Sequence, residues 1–146
     1  MYVISDYYKA SRDVIAFVAG YYEKLFSAEL LEQMISIQNW DTSYPMTAPK
    51  RLNLYMRNMD VDYFIFLNSN DDEWAQNIYQ LAHEYSHVVM GCYPNNERLK
   101  WISECLCESA SIHLLQIANV FFEKHSPRYV AGNLEYLVWH LSKVLR

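Results

Sequence analysis

The chain has 146 residues, enough for one domain around one core and too few for two. Apolar side chains make up 52% of it, which excludes a disordered chain. The formal net charge is −5, and Lys and Arg are scattered, which excludes nucleic acid as the main partner.

Only 3 glycines and 4 prolines interrupt the sequence, so long helices are favoured over many tight turns. The cysteines are Cys92, Cys105 and Cys107, an odd set. Cys105 and Cys107, one residue apart on a helix, cannot easily bridge each other, and a reduced intracellular chain is the simplest expectation. "VIAFVAG" (14–20) is apolar but short, and Asp6 and Asp13 stand before it where a secretory leader carries positive charge. No stretch reads as the roughly 20 apolar residues of a membrane span. The expected location is therefore the cytoplasm, away from membranes.

In chain order, residues 5–37 read as mostly helix in two segments. Val14, Ile15, Phe17, Val18, Tyr21 and Tyr22 form the first apolar stripe, and Leu30, Leu31, Met34 and Ile35 the second. Residues 39–49, with two prolines, read as a loop. "RLNLYM" (51–56) and "DYFIFLN" (62–68) read as strands around a turn at 57–60. A helix follows "NSNDDEW" (68–74), with Asn70 or Asp72 as its cap, and runs to about Met90. Gly91 suits a left-handed helix end, and Pro94 prevents continuation. A second helix runs from Asn95–Glu97 to about Glu123, and Pro127 opens a third.

The middle helix carries "LAHEYSHVV" (81–89). Residues four apart on a helix lie about 40° apart round its axis and about 6 Å apart along it. His83 and His87 therefore project from one face and can converge on one ion. Glu84, about 100° round from His83, flanks that ion as a general base for an attacking water. Tetrahedral zinc needs a third protein ligand and one open position.

The next helix supplies that ligand within "WISECLCESAS" (101–111). If 91–96 is a tight connection, the two helices are antiparallel neighbours. His83 lies eight residues before Gly91 and Glu104 eight after Asn96, so they share a level. Glu104, Cys107, Glu108 and Ser111 share one face, flanked by Trp101, Ile102, Leu106 and Ala110, which read as buried on most sides. Glu104 is assigned to the metal, with Glu108 as its rival. Glu108 is placed behind the ligands, accepting the other ring N–H of His83 or His87. Cys107 faces the metal and reads as a small buried residue rather than a thiolate ligand. His113 lies about 180° from Glu104 and reads as structural.

His83-Glu84-x-x-His87, sixteen residues, then Glu104 in a Trp101-x-x-Glu104 segment with Glu108 four positions on, resembles the gluzincin metallopeptidases, and in its compactness the minigluzincins. The resemblance covers about residues 62–112. It implies zinc, Glu84 as general base and acid, peptide hydrolysis, and an upstream strand (62–68) that lines the cleft and pairs with an extended substrate. No Gly-x-Met-Glu-Asn segment is present. Met90 and Tyr93 stand where a metzincin has its glycine and third histidine. Tyr129, Tyr136, His125 and His140 are the candidates for a residue that stabilises the oxyanion.

The expected fold is a single α+β, zincin-like domain over residues 1–146, with a short, mainly antiparallel sheet on several helices and the His-Glu-x-x-His helix at its centre. The expected function is zinc-dependent cleavage of a peptide or protein. The alternative is a binding or regulatory protein that keeps zinc and cuts nothing.

Overall fold

The computed structural model describes residues 2–4, 12–26, 34–39, 45–49, 61–70, 73–91, 97–125, 135–136, 138–139 and 142–143. Seven elements follow one another: β1 (Tyr2–Ile4), α1 (Arg12–Leu25), β2 (Ile35–Asn39), β3 (Met46–Pro49), β4 (Tyr63–Leu67), α2 (Trp74–Val89) and α3 (Glu97–His125).

The sheet corrects the expected fold class. Its order is β1-β2-β4-β3. β1 pairs parallel with β2 and β2 parallel with β4, and only β3 runs antiparallel, along β4. The mainly antiparallel sheet is thus overturned, and helices outweigh strands among the described residues. The cause is the crossover. A 14-residue helix, α1, lies between β1 and β2 and brings the chain back in its starting direction, where a tight turn would have reversed it.

Two of these strands sit where other structure was expected. Ile35 belongs to β2 rather than to a helix. Ile35 and Ile37 join the main core while Ser36 points to the opposite face, a period of two that a short apolar run hides. β3 occupies part of the proline-bearing stretch read as loop. Pro49 is tolerated because β3 is an outer strand. The expected strand at 62–68 is β4. Its run Tyr-Phe-Ile-Phe-Leu is apolar throughout because both faces are covered. Ile65 and Leu67 pack on the helices; Phe64 and Phe66 join Val61 and Met34 on the other side. The expected strand at 51–56 and turn at 57–60 lie outside the described residues.

The main core joins Val14, Ile15, Val18 and Tyr22 of α1 to Ile78, Leu81 and Tyr85 of α2 and Leu114, Leu115, Ala118 and Phe122 of α3. α2 is pinned to the end of β4 by polar side chains, of which Asn77 and Gln80 are buried. The Asn68 N–H donates to Gln80 Oε1 (2.9 Å), and Gln76 and Gln80 both donate back to the Asn68 carbonyl (2.9 and 3.1 Å). Asn77 bonds to Ser69 and donates to the Asn70 carbonyl. Asn70 does not act as the expected cap, and Asp72 lies outside the described residues. Glu73 holds the cap position, and its carboxylate accepts the Asn70 N–H at 2.6 Å. The helix ends as expected at Gly91, whose φ of 76° favours glycine and whose N–H reaches the Val88 carbonyl at 3.0 Å.

Trp101, Ile102 and Leu106 correct a further expectation. They are 70%, 46% and 55% exposed, on an outer stripe of α3. One segment of that helix, Arg98–Lys124, is long and apolar enough to cross a bilayer by length and composition, with 33% of its apolar window buried. Glu108 and several Ser, His, Gln and Asn residues interrupt its apolar run. In the fold its inner face packs on α2.

Candidate metal centre

The two variable positions of the motif orient the helix. Tyr85 lies about 160° from each histidine and is fully buried, with its ring 4.8 Å from that of Tyr22. Ser86 Oγ contacts the Tyr22 hydroxyl at 2.6 Å, and that hydroxyl donates to the Ala82 carbonyl at 2.9 Å. Burial pushes the Tyr22 hydroxyl well above its ordinary pKa, so it stays a donor. With Tyr85 and Ser86 anchored on α1, His83, Glu84 and His87 are left for α3.

The antiparallel pairing of α2 and α3 then sets the level. His83 Nε2 stands 3.2 Å from Glu104 Oε2, and His87 Nε2 stands 3.5 Å from Glu104 Oε1. One carboxylate thus spans both imidazoles. Glu108, one turn on, places Oε2 at 3.7 Å from Nδ1 of His83. Tyr79, one turn before His83, donates its hydroxyl to Glu108, and Tyr136 packs edge-on against Tyr79 at 5.7 Å. Burial and the Glu108 charge raise the Tyr79 pKa, and the same causes, with Glu73, push Tyr136 to about 12.

His87 is 1% exposed. Burial lowers its pKa below 6.5, with His83 adding to the effect and Glu104 opposing it. It is therefore held as the neutral imidazole that a metal needs. Cys107 Sγ lies 3.5 Å from His87 Nδ1. Burial first, then the charges of Glu104 and Glu84, push its thiol up to about 12. Glu84 is only 3% exposed, and its charge is among those that raise the Cys107 thiol.

The structure thus brings together His83, His87 and Glu104, with Glu108 behind His83. It also adds Cys107. Ligand atoms of His83, His87 and Cys107 lie within 4.8 Å of one another and could hold a metal ion. The sequence signal for Cys107 was its place on the Glu104 face; its contact with a histidine was missed because a buried thiol reads as filler. His113 points elsewhere, to the Tyr21 hydroxyl at 3.0 Å. Of the four oxyanion candidates, Tyr136 reaches the surroundings of Glu108; Tyr129, His140 and the side chain of His125 lie outside the described residues.

β4 cannot pair with a substrate, because β2 and β3 already occupy both its edges. Among the described residues the outer strand on that side is β3, and α2 packs against β4 and β3 alike. The chain matches no family model, no curated protein and no solved structure.

The donors fit a small, borderline-soft cation. Two ligands at 2.0–2.1 Å from zinc, at the tetrahedral angle, are about 3.3 Å apart. The nitrogen–oxygen separations to Glu104, 3.2 Å at Oε2 and 3.5 Å at Oε1, are each close to that value, one at each oxygen of the carboxylate.

Proposed function

We propose that the protein is a zinc-dependent peptidase, with His83, His87 and Glu104 as metal ligands and Glu84 as general base and then general acid. The observation that carries this reading is the separation of the two Nε2 atoms from Glu104, 3.2 and 3.5 Å, in a cluster that also holds a buried carboxylate one residue from His83. Zinc, when bound, polarises a carbonyl and makes water a stronger acid.

The chain's own residues do the rest. Burial keeps His87 neutral, so its nitrogen is available without a proton to displace. Glu108, held by Tyr79, steadies His83 from behind. The Glu84 carboxylate takes a proton from the attacking water and returns it to the departing amine. The substrate we propose is an extended peptide or protein segment, and the outer strand β3 is the edge on which it can lie. With Asp and Glu outnumbering Lys and Arg 17 to 12, nucleic acid is a poor alternative. A cytoplasmic location is supported by Cys105 and Cys107, both free.

The rival reading, a zinc-stabilised binding or regulatory protein, has one observation in its favour. Cys107 stands within ligand reach of the same two histidines. A fourth protein ligand would close the site, as structural zinc sites are closed. Glu84→Gln separates the two. It keeps shape and removes the base, so metal content and melting temperature should stay unchanged. Incubated with a peptide library, the native chain should generate new termini that Glu84→Gln and chelated protein do not. No cleavage by metal-loaded native protein across the library would favour the closed, non-catalytic site.

A further inference from the structure

Each histidine of the cluster has a second ring nitrogen, and the two second nitrogens meet different chemistry. His83 Nδ1 faces the Glu108 carboxylate. His87 Nδ1 faces Cys107 Sγ at 3.5 Å, within N–H···S hydrogen-bond range. His87 and Cys107 are 1% and 0% exposed, so bulk water has no access to replace that contact. Cys107 is itself held in α3, where its carbonyl accepts the Ser111 hydroxyl at 2.9 Å.

We infer that Cys107 is a positioning residue for the metal: its sulfur accepts the Nδ1–H of His87 and holds the imidazole with Nε2 toward Glu104. The inference rests on the ligand set proposed above. A histidine that gives one nitrogen to a metal donates its other N–H to an acceptor, which fixes tautomer and ring angle. That acceptor is usually a carboxylate, a carbonyl or a water. A thiol does the same work here without adding another carboxylate to Glu84, Glu104 and Glu108.

The geometry also separates this role from that of a ligand. The two nitrogens of one imidazole point in divergent directions and cannot both face one ion. In His87, Nε2 faces Glu104 and Nδ1 faces sulfur. Sulfur and carboxylate therefore flank the ring on different sides. An ion shared with Glu104 would sit on the Nε2 side of the His87 ring, and the sulfur stands on the Nδ1 side.

The test uses the full chain as the native protein, Cys107→Ala and Cys107→Ser. Zinc affinity is read by competition with a chromophoric chelator, and cobalt(II) is loaded for its spectrum. Cys107→Ala should weaken zinc by about 10–100-fold, the usual cost of losing such a partner. Cys107→Ser retains an acceptor and should recover most of that loss. The melting temperatures of the two metal-free variants should agree, which separates orientation from packing. Native protein loaded with cobalt should show tetrahedral d–d bands without a thiolate-to-cobalt charge-transfer band. A charge-transfer band that vanishes in Cys107→Ala would make Cys107 a ligand and overturn the inference. Equal affinity in native and Cys107→Ala, or failure of Ser to rescue, would also overturn it while leaving the ligand set intact. A native chain that takes up neither zinc nor cobalt would remove the ligand set, and the inference with it.

Discussion

The two ends of the candidate metal cluster are built differently although one helix supplies both histidines. His83 sits at the open end, its side chain 18% exposed, between Glu104 and Glu108. His87 sits at the closed end, with a thiol behind it and no access to water. The open end is held by charge, through Glu108 and the Tyr79 hydroxyl. The closed end is held by packing, through Tyr85, Tyr22 and the buried face of α3. One helical turn therefore separates a partly exposed histidine between two carboxylates from a buried one backed by a thiol.

The largest effect that sharpens this contrast lies in the acidic pair. Glu104 spans both ends and Glu108 only the open one. Glu104→Gln should abolish tight zinc binding, whereas Glu108→Gln should weaken it about 10–100-fold. Isothermal titration with zinc distinguishes them, and the reverse order would move the ligand one turn along α3.

Next in size is a pH effect that belongs to the closed end. The native pKa of His87 lies below 6.5, its ordinary value. The unfolded chain therefore binds a proton at His87 before the folded chain does. Stability is intact above pH 6.5 and falls with pH between 6.5 and the lowered native value. Thermal melts of metal-free protein across that range should show the decline, and His87→Gln should flatten it. A decline of equal steepness in His87→Gln would assign it to another group.

The smallest effect returns to the open end. Tyr79→Phe removes the hydroxyl that steadies Glu108. It should weaken zinc less than Glu108→Gln does, because the carboxylate itself remains. A loss as large as that of Glu108→Gln would mean that Glu108 has no fixed position without Tyr79.

Much of the site was legible because helix geometry is rigid. Equal spacing of His83 and Glu104 from the helix connection predicted their level, and the structure sets them 3.2 Å apart. The partner of His87 was not legible, since nothing in a one-letter sequence separates a thiol that fills space from one that meets a ring nitrogen. Nor were Asn77 and Gln80, whose amides tie α2 to β4; their bonds run to backbone groups that only the fold brings near. The sheet was the least legible part. β1 is three residues long, β2 merged with an apolar helical pattern, and β3 was obscured by Pro49 and by Pro45 just before it. Strand direction depended on the crossover through α1, a long-range property that periodicity does not encode. The exposure of Trp101, Ile102 and Leu106 was misjudged for a related reason: composition reports what is apolar, not what covers it.

The claim on which all of this rests is that α2 and α3 together hold a metal. The most direct measurement is elemental analysis of native protein purified without chelator, beside His83→Ala, with melting curves before and after chelation. The account predicts about one zinc per native chain, its loss in His83→Ala, and a lower melting temperature once the metal is removed, since the ion joins the two helices. Native protein without metal, unable to take up added zinc and melting identically with and without chelator, would contradict it.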